Sequence, residues 1–425
     1  MTIAQLHKHF LEFPKVCTDT RKITEDCIFF ALKGDNFNGN KYASESLKKG
    51  AAYAVIDESQ HAVSDRYILV ENVLQTLQKL ASFHRNYSKA KVIGLTGSNG
   101  KTTTKELINT VLSKKYRTIA TKGNLNNHIG VPLTLLTIQA DTEIAVIEMG
   151  ANHQKEIEFL SSMAQPDFGY ITNFGKAHLE GFGGEEGVIK GKSELYENLI
   201  GNSKYIFMNA DDPIQFEKLS GYIKKLGFSN SKQEYYTIDF LGAQPFVKIK
   251  VEETIIKSQL IGSYNFTNCA AAILMGKYFN VSLKDIKSAI ESYTPQNNRS
   301  QIIEQNGYHI ILDAYNANPT SMKAALENFK SMDSFYKIAF LGDMFELGET
   351  AKSEHQNIAD LVNEMGFDEI YLIGENFFTT DTVLKKFRSF NEVSKYFKKN
   401  TLKEKGSLLI KGSRGMALER ILDLI

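Results

Sequence analysis

The sequence predicts an α/β protein of three domains, and three observations carry that expectation. Short apolar runs alternate with helical patterns along the whole chain, as parallel sheets with crossover helices require. One run enters a glycine-bounded loop that ends in a lysine and three threonines. After the polar break Pro295-Gln296-Asn297-Asn298, a further set of apolar runs follows in a doubly wound pattern. The length of 425 residues suits about three domains of roughly 100 to 200 residues each.

In order along the chain, residues 1–85 hold Cys27 to Leu32, Ala51 to Ile56 and Tyr67 to Val70 as strands, with a helical pattern at Tyr42 to Lys49. This reads as a small α/β unit. Residues 86–296 hold Val92 to Thr96, Ile144 to Met149, Phe168 to Thr172 and Tyr205 to Met208, a parallel sheet with helices between its strands. Residues 297–425 hold Tyr308 to Leu312, Lys337 to Leu341, Glu369 to Ile373 and Ser407 to Ile410, each followed by a helical pattern, which makes a Rossmann-like third unit.

Composition narrows the function. Fifty basic and 49 acidic residues leave a net charge of +1, so nothing in the balance calls for nucleic acid or an anionic membrane as partner. Cys17, Cys27 and Cys269 are far apart with no C-x-x-C pair, which argues against a disulfide framework and against a zinc site. Lys8 and Glu12 interrupt the Met1 to Phe13 stretch, and no apolar run approaches the roughly 18 residues of a membrane span. The expectation is a soluble, cytoplasmic protein.

The loop Gly97-Ser98-Asn99-Gly100-Lys101-Thr102-Thr103 carries the first chemistry. Gly97 and Gly100 let the backbone turn so that N–H groups converge on an anion, and Lys101 adds a positive charge for the outer phosphates of a nucleotide. Thr102 opens a helix whose Leu107, Ile108, Val111 and Leu112 share one face, so its positive end meets the phosphates and its hydroxyl meets Mg²⁺. The loop is a variant of the P-loop, with Leu95 where G-x-x-x-x-G-K-[ST] has glycine. Three more residues fall where central strands end, the ligand-binding edge of a parallel sheet: Glu148, His178, and Lys192 at the start of a helical stretch. A carboxylate, an imidazole and the Thr102 hydroxyl suit Mg²⁺ on ATP, which takes few protein ligands and several waters.

The runs Thr96 to Lys105, Gly123-Asn124-Leu125-Asn126-Asn127-His128-Ile129-Gly130-Val131-Pro132, Ile147 to Asn152 and Ala177 to Gly183 resemble the Mur ligases of peptidoglycan synthesis. Cys17-Thr18-Asp19-Thr20-Arg21 and Phe29 to Gly34 resemble that family's uridine-nucleotide domain. Asp313-Ala314-Tyr315-Asn316-Ala317-Asn318-Pro319, Gly342 to Gly348 and Lys411 to Met416 resemble the member that joins D-alanyl-D-alanine to UDP-N-acetylmuramoyl-tripeptide.

The resemblance implies roles. Lys101 holds the ATP phosphates, and Asn126 or Asn127 lies near the γ-phosphate. Thr102 and Glu148 hold one Mg²⁺ and His178 helps hold a second. Lys192 matches a lysine that these ligases carbamylate. Asn265 and Asn268 face adenine, although Tyr264 stands where histidine is common, and a helix cap with a buried amide is their competing role. Arg299 and Asp313 reach back to the nucleotide, while Thr20, Arg21 and Lys33 meet the uridine and diphosphate. Phe37-Asn38-Gly39-Asn40 departs from the family's usual Asp-Gly-His. The implied reaction is ATP-dependent amide ligation through an acyl phosphate by a monomer. The alternatives are the preceding ligase, which adds the third amino acid, and a nucleotide-binding module without ligase activity. Against them stand the Asp313 to Pro319 motif, the absence of Asp-Asn-Pro-Arg, and the absence of the Asn-Lys-x-Asp guanine motif.

Overall fold

Strands buried on both faces need unbroken apolar runs, and such runs form the central strands of the parallel sheets. The computed structural model describes residues 1–296 and 298–425. Asn297, where the sequence places the start of the third segment, lies outside the described residues.

The chain opens with α1 (Ile3–Glu12), whose start Thr2 and Gln5 close as a capping box. Strand β1 (Lys15–Cys17) precedes β2 (Cys27–Phe30), and a hairpin pairs β3 (Lys33–Gly34) with β4 (Phe37–Asn38). Helix α2 (Ala43–Lys48), β5 (Tyr53–Ile56), β6 (Tyr67–Leu69) and α3 (Val73–Tyr87) follow. The first sheet is parallel in the order β1-β2-β5-β6. The break expected after residue 85 falls inside the last turn of α3. That helix is shared: Leu77, Leu80 and Ala81 are buried in one core with Val92, Val131 and Leu135. Each such leucine contributes about 1.5–3 kcal/mol by burial. The Arg85 guanidinium adds hydrogen bonds to the carbonyls of Ala164 (3.0 Å) and Gln165 (2.9 Å) and to Asp167 (2.9 Å).

The middle of the chain runs β7 (Lys91–Thr96), α4 (Lys101–Leu112), β8 (Thr118–Ala120), α5 (Gly130–Leu135), β9 (Ile144–Glu148), α6 (Glu156–Ala164) and β10 (Phe168–Ile171). It continues with α7 (Leu179–Phe182), α8 (Glu185–Gly201), β11 (Tyr205–Asn209), α9 (Pro213–Lys218), β12 (Lys225–Ser229) and β13 (Tyr236–Thr237). The seven strands form one parallel sheet, β13-β12-β11-β10-β7-β9-β8. A separate antiparallel sheet follows: β14 (Asp239–Ala243), β15 (Phe246–Val251) and β16 (Thr254–Ile261). It packs with α10 (Asn265–Tyr278) and α11 (Leu283–Ser292) on the second hydrophobic core.

The last sheet is β17-β18-β22-β19-β20-β21, parallel except for its first pair. Its elements are β17 (Gln301–Gln305), β18 (Tyr308–Asp313), α12 (Pro319–Ser331), β19 (Lys337–Gly342), α13 (Ala351–Glu364) and β20 (Glu369–Ile373). Then come α14 (Glu375–Phe378), β21 (Lys385–Phe387), α15 (Phe390–Phe397) and β22 (Ser407–Lys411). The helical pattern expected after β22 is instead two short 3₁₀ segments, Arg414–Met416 and Leu418–Leu424. The left-handed Ala417 between them (φ 48°) interrupts a longer helix. No described helix is long and apolar enough to cross a membrane.

Candidate active site

The C-terminal ends of β7, β9 and β10 on one side, and of β18 and β22 on the other, line one cleft of about 880 Å³. Its floor is the loop after β7. A Cβ on Gly97 (φ 142°) would lie 2.0 Å from Thr172 Oγ1, and one on Gly100 (φ 76°) would lie 2.6 Å from Asn268 Oδ1. Only glycine lets the loop lie this close to β10 and α10. Gly97→Ala is therefore expected to lower stability by about 2–4 kcal/mol, since both the φ and the space are wrong; thermal unfolding reads this directly, and an unchanged midpoint would contradict the loop geometry.

Asn173, two residues past β10, holds the loop in place. Its carbonyl accepts the Ser98 N–H (3.0 Å), its Oδ1 accepts the Asn99 N–H (3.1 Å), and its Nδ2 donates to Asn99 O (3.0 Å). Helix α4 starts at Lys101, one residue before the expected Thr102, with Gly100 as its cap. Its first N–H groups, with Thr103 among them, open on the cleft as an anion site. Lys101 Nζ folds back onto Gly97 O (2.7 Å) and Ser98 O (3.1 Å). Burial is the main cause that pulls this ammonium down to about 8; the Glu148 charge opposes it and the Arg299 charge adds to it.

Glu148 is buried at the end of β9. Its Oε1 accepts from Thr102 Oγ1 (3.2 Å) and from Asn126 Nδ2 (2.8 Å), while Oε2 has no hydrogen-bond partner among the described residues and lies 3.8 Å from Lys105 Nζ. An orphaned buried carboxylate oxygen beside a hydroxyl is a costly arrangement that a hard cation relieves, so this donor set fits Mg²⁺. Among the described residues no three His, Cys, Asp or Glu side chains gather as a metal cage. Asn127, which also lines the cleft, braces the turn into α5, its Oδ1 accepting the N–H groups of Ile129 (3.1 Å) and Gly130 (2.9 Å).

His178 lines the same cleft, in the left-handed conformation (φ 55°) that starts α7. Its Nδ1 is hydrogen-bonded to the Glu346 carboxylate from the last sheet's side, and that bond holds the Glu346 carboxyl below its usual range. Lys192 is not at a helix start. It sits in the middle of α8, 0 % exposed, with Nζ donating to Ala151 O (3.0 Å) and lying 4.8 Å from the centre of the Phe182 ring. Burial above all, and then the Lys101 charge, pulls its pKa well below the ordinary lysine value.

Asn265 and Asn268 are buried amides. Asn268 Nδ2 donates to Asn265 Oδ1 (2.8 Å), Asn268 Oδ1 accepts from Thr104 (2.9 Å), and Asn265 Nδ2 donates to Ile261 O (2.8 Å). The cap of α10 is Tyr264, whose hydroxyl pairs with Ser300 Oγ (2.9 Å). From the other side, Asp313 accepts from the buried Lys411 ammonium (2.6 Å) and the Ser300 N–H (3.0 Å). The Arg299 guanidinium stacks 3.6 Å from the centre of the Tyr315 ring. Asn318, which caps α12, donates to Asn99 Oδ1 (2.8 Å) and joins the third unit directly to the loop.

Thr20, Arg21 and Lys33 do not line this cleft. Arg21 forks onto Asp19 (2.9 and 2.8 Å), and Lys33 pairs with Asp57 (2.9 Å) and Glu58 (3.1 Å). Asn38 donates to Glu58 (2.9 Å) and Asn40 to Asp57 (2.9 Å).

The family model described as the Mur ligase middle domain matches residues 95–276, and that of the Mur ligase glutamate ligase domain matches residues 298–414. The UDP-N-acetylmuramoyl-tripeptide--D-alanyl-D-alanine ligase of Bacillus subtilis is 36% identical over 430 residues, 96% of this chain and 93% of that protein. The enzyme of the same description from Escherichia coli is 32% identical over 419 residues, 96% and 92% of the two chains. Among solved structures, MurF from Acinetobacter baumannii superposes with a TM-score of 0.87 at 28% identity, covering 100% of this chain and 98% of that one. MurF from Thermotoga maritima in complex with ADP gives 0.83 at 27%, with 97% of each chain covered.

Proposed function

The chain belongs to the Mur ligase family, and from that premise we propose that it joins D-alanyl-D-alanine to UDP-N-acetylmuramoyl-tripeptide, using ATP. The observation that carries the chemistry is the cleft itself. An anion-binding loop with Lys101, a buried carboxylate with one oxygen outside any hydrogen bond among the described residues, and the Asp313, Lys411 and Asn318 side chains of the third unit all meet there. The curated relatives of matching length carry the choice of acceptor.

A carboxylate oxygen is too poor a leaving group for an amine to displace. The free carboxylate of the tripeptide therefore attacks the γ-phosphorus, and ADP departs. The amine of the dipeptide then adds to the acyl carbon, and the tetrahedral intermediate expels phosphate as the amide forms and the amine nitrogen loses its proton. The protein positions the partners and neutralises charge. Lys101 and the N–H groups at the start of α4 hold the phosphates, with Ser98, Asn99 and Thr103 around them. Mg²⁺ would be held by Thr102 and Glu148, with His178 and a carbamylated Lys192 toward a second ion, and supplies charge neutralisation on the phosphates. Asn126 lies beside Glu148 at the γ-phosphate end, and Asn265, Asn268, Arg299 and Asp313 surround the nucleoside. Thr20, Arg21 and Lys33 take the uridine diphosphate, Arg21 and Lys33 by exchanging their present carboxylate partners for phosphate. The reading makes the enzyme a cytoplasmic monomer.

The test is phosphate release with each acceptor in turn. We expect turnover with UDP-N-acetylmuramoyl-tripeptide, ATP and D-alanyl-D-alanine together, and none when lysine or diaminopimelate replaces the dipeptide. Turnover with a free amino acid and the shorter nucleotide substrate would favour the preceding ligase, and release with no acceptor at all would favour a nucleotide module.

A further inference from the structure

The loop between β19 and α13 is built to present one side chain. Asp343, at its start and 3 % exposed, accepts the N–H groups of Asn376 (2.9 Å) and Phe377 (2.9 Å). The Met344 N–H donates to the buried His355 Nε2 (3.0 Å), and the Phe345 N–H to Ser413 Oγ (2.9 Å). Three successive residues are thus pinned from three different elements. The next residue, Glu346, is left-handed (φ 62°), a conformation a glutamate adopts only where its surroundings impose it. Its carboxylate meets His178, which is also left-handed, and its carbonyl accepts the Glu180 N–H (3.2 Å). Side chain and main chain of one residue therefore grip both ends of the turn that begins α7, across the seam between the central and last sheets.

We propose that Glu346 is a positioning residue for ligation, holding His178 and α7 against the last sheet so that the two walls of the cleft are registered when the acceptor amine reaches the acyl phosphate. This rests on the ligase reading above. The neighbouring bridges across the seam, Lys176 to Glu354 (2.9 Å) and the Lys176 N–H to Thr320 Oγ1 (2.9 Å), fix the walls at other points but do not touch a cleft-lining imidazole. The Glu346 side chain is half exposed, so its truncation removes little buried volume and a loss of function in its variants reads position and not folding.

The experiment compares wild type, Glu346→Ala and Glu346→Gln. Wild type is assayed first; if it releases no phosphate with the tripeptide nucleotide and dipeptide, the ligase reading fails and not this one. Given an active wild type, Glu346→Ala should lower kcat about tenfold and raise the KM of the dipeptide, because a charge-assisted bond at the seam is gone. Its affinity for ADP and its thermal midpoint should stay at wild-type values, and the amide partner in Glu346→Gln should recover part of the rate. Hydrogen exchange should rise in residues 176–183, on the opposite wall from the substitution. Unchanged kcat and dipeptide KM in Glu346→Ala would overturn the proposal, as would a loss of ADP affinity equal to the loss of rate.

Discussion

Lys101→Ala is expected to lower ligation about a thousandfold while the protein stays folded, because the ammonium serves phosphate charge that develops in the reaction. Among the described residues its hydrogen bonds are to two carbonyls of its own loop, and alanine leaves both able to bind water. Thermal unfolding should therefore barely move. A pH signature accompanies the charge. Burial pulls the Lys101 ammonium down to about 8, and the protonated form is the one that meets phosphate. As pH rises through that value the free enzyme loses its cation, so kcat/KM for ATP should fall on the alkaline side. Lys101→Arg stays charged throughout and should lack this limb, whatever its absolute rate. Near-normal phosphate release by a folded Lys101→Ala protein would remove the nucleotide from this loop.

What the sequence makes legible follows from where its side chains stand on the sheet. The runs at Val92 to Thr96, Ile144 to Met149 and Phe168 to Thr172 are continuous because their strands are covered on both faces, so strands and the polar residues at their ends can be read together. Glu148 is found that way, and the same rule reaches Asn173, which lies two residues past β10 and braces the loop. The antiparallel sheet is not legible by that signal. Phe246–Val251 alternates lysines with apolar residues and Thr254–Ile261 is broken by Lys257, Ser258 and Gln259, so neither gives a continuous run. Asn318 is invisible for another reason: it touches Asn99 from 219 residues away, and only the closure of two sheets brings them together. The uridine-side residues show the limit of charge as a signal. Arg21 and Lys33 are cations of the right kind, yet each already has carboxylate partners close by in sequence or space.

Lys192 shows what helical spacing could have revealed. Val188, Leu195 and Leu199 are buried on one face of α8, and Lys192 stands on that same stripe, four residues after the first and three before the second. A lysine there is either a packing defect or a group with work to do. Among the described residues no carboxylate is bonded to it; burial above all and then the Lys101 charge favour its neutral form, against the charges of Glu156 and Glu194. A neutral amine is the form that adds CO₂, giving a carbamate and releasing a proton, and the product carries two oxygens where the ammonium would have repelled Mg²⁺. Lys192→Arg is therefore expected to lose at least about a hundredfold in kcat, since a guanidinium keeps its charge and is not carbamylated in this way. Lys192→Ala should lose as much, with acetate restoring part of the rate by filling the vacated volume with a carboxylate. ¹³C-labelled bicarbonate should give a carbamate resonance in the wild type that both variants lack. An arginine variant with wild-type turnover would instead assign this side chain to packing against Phe182 and the Ala151 carbonyl, with no part in the charge of the site.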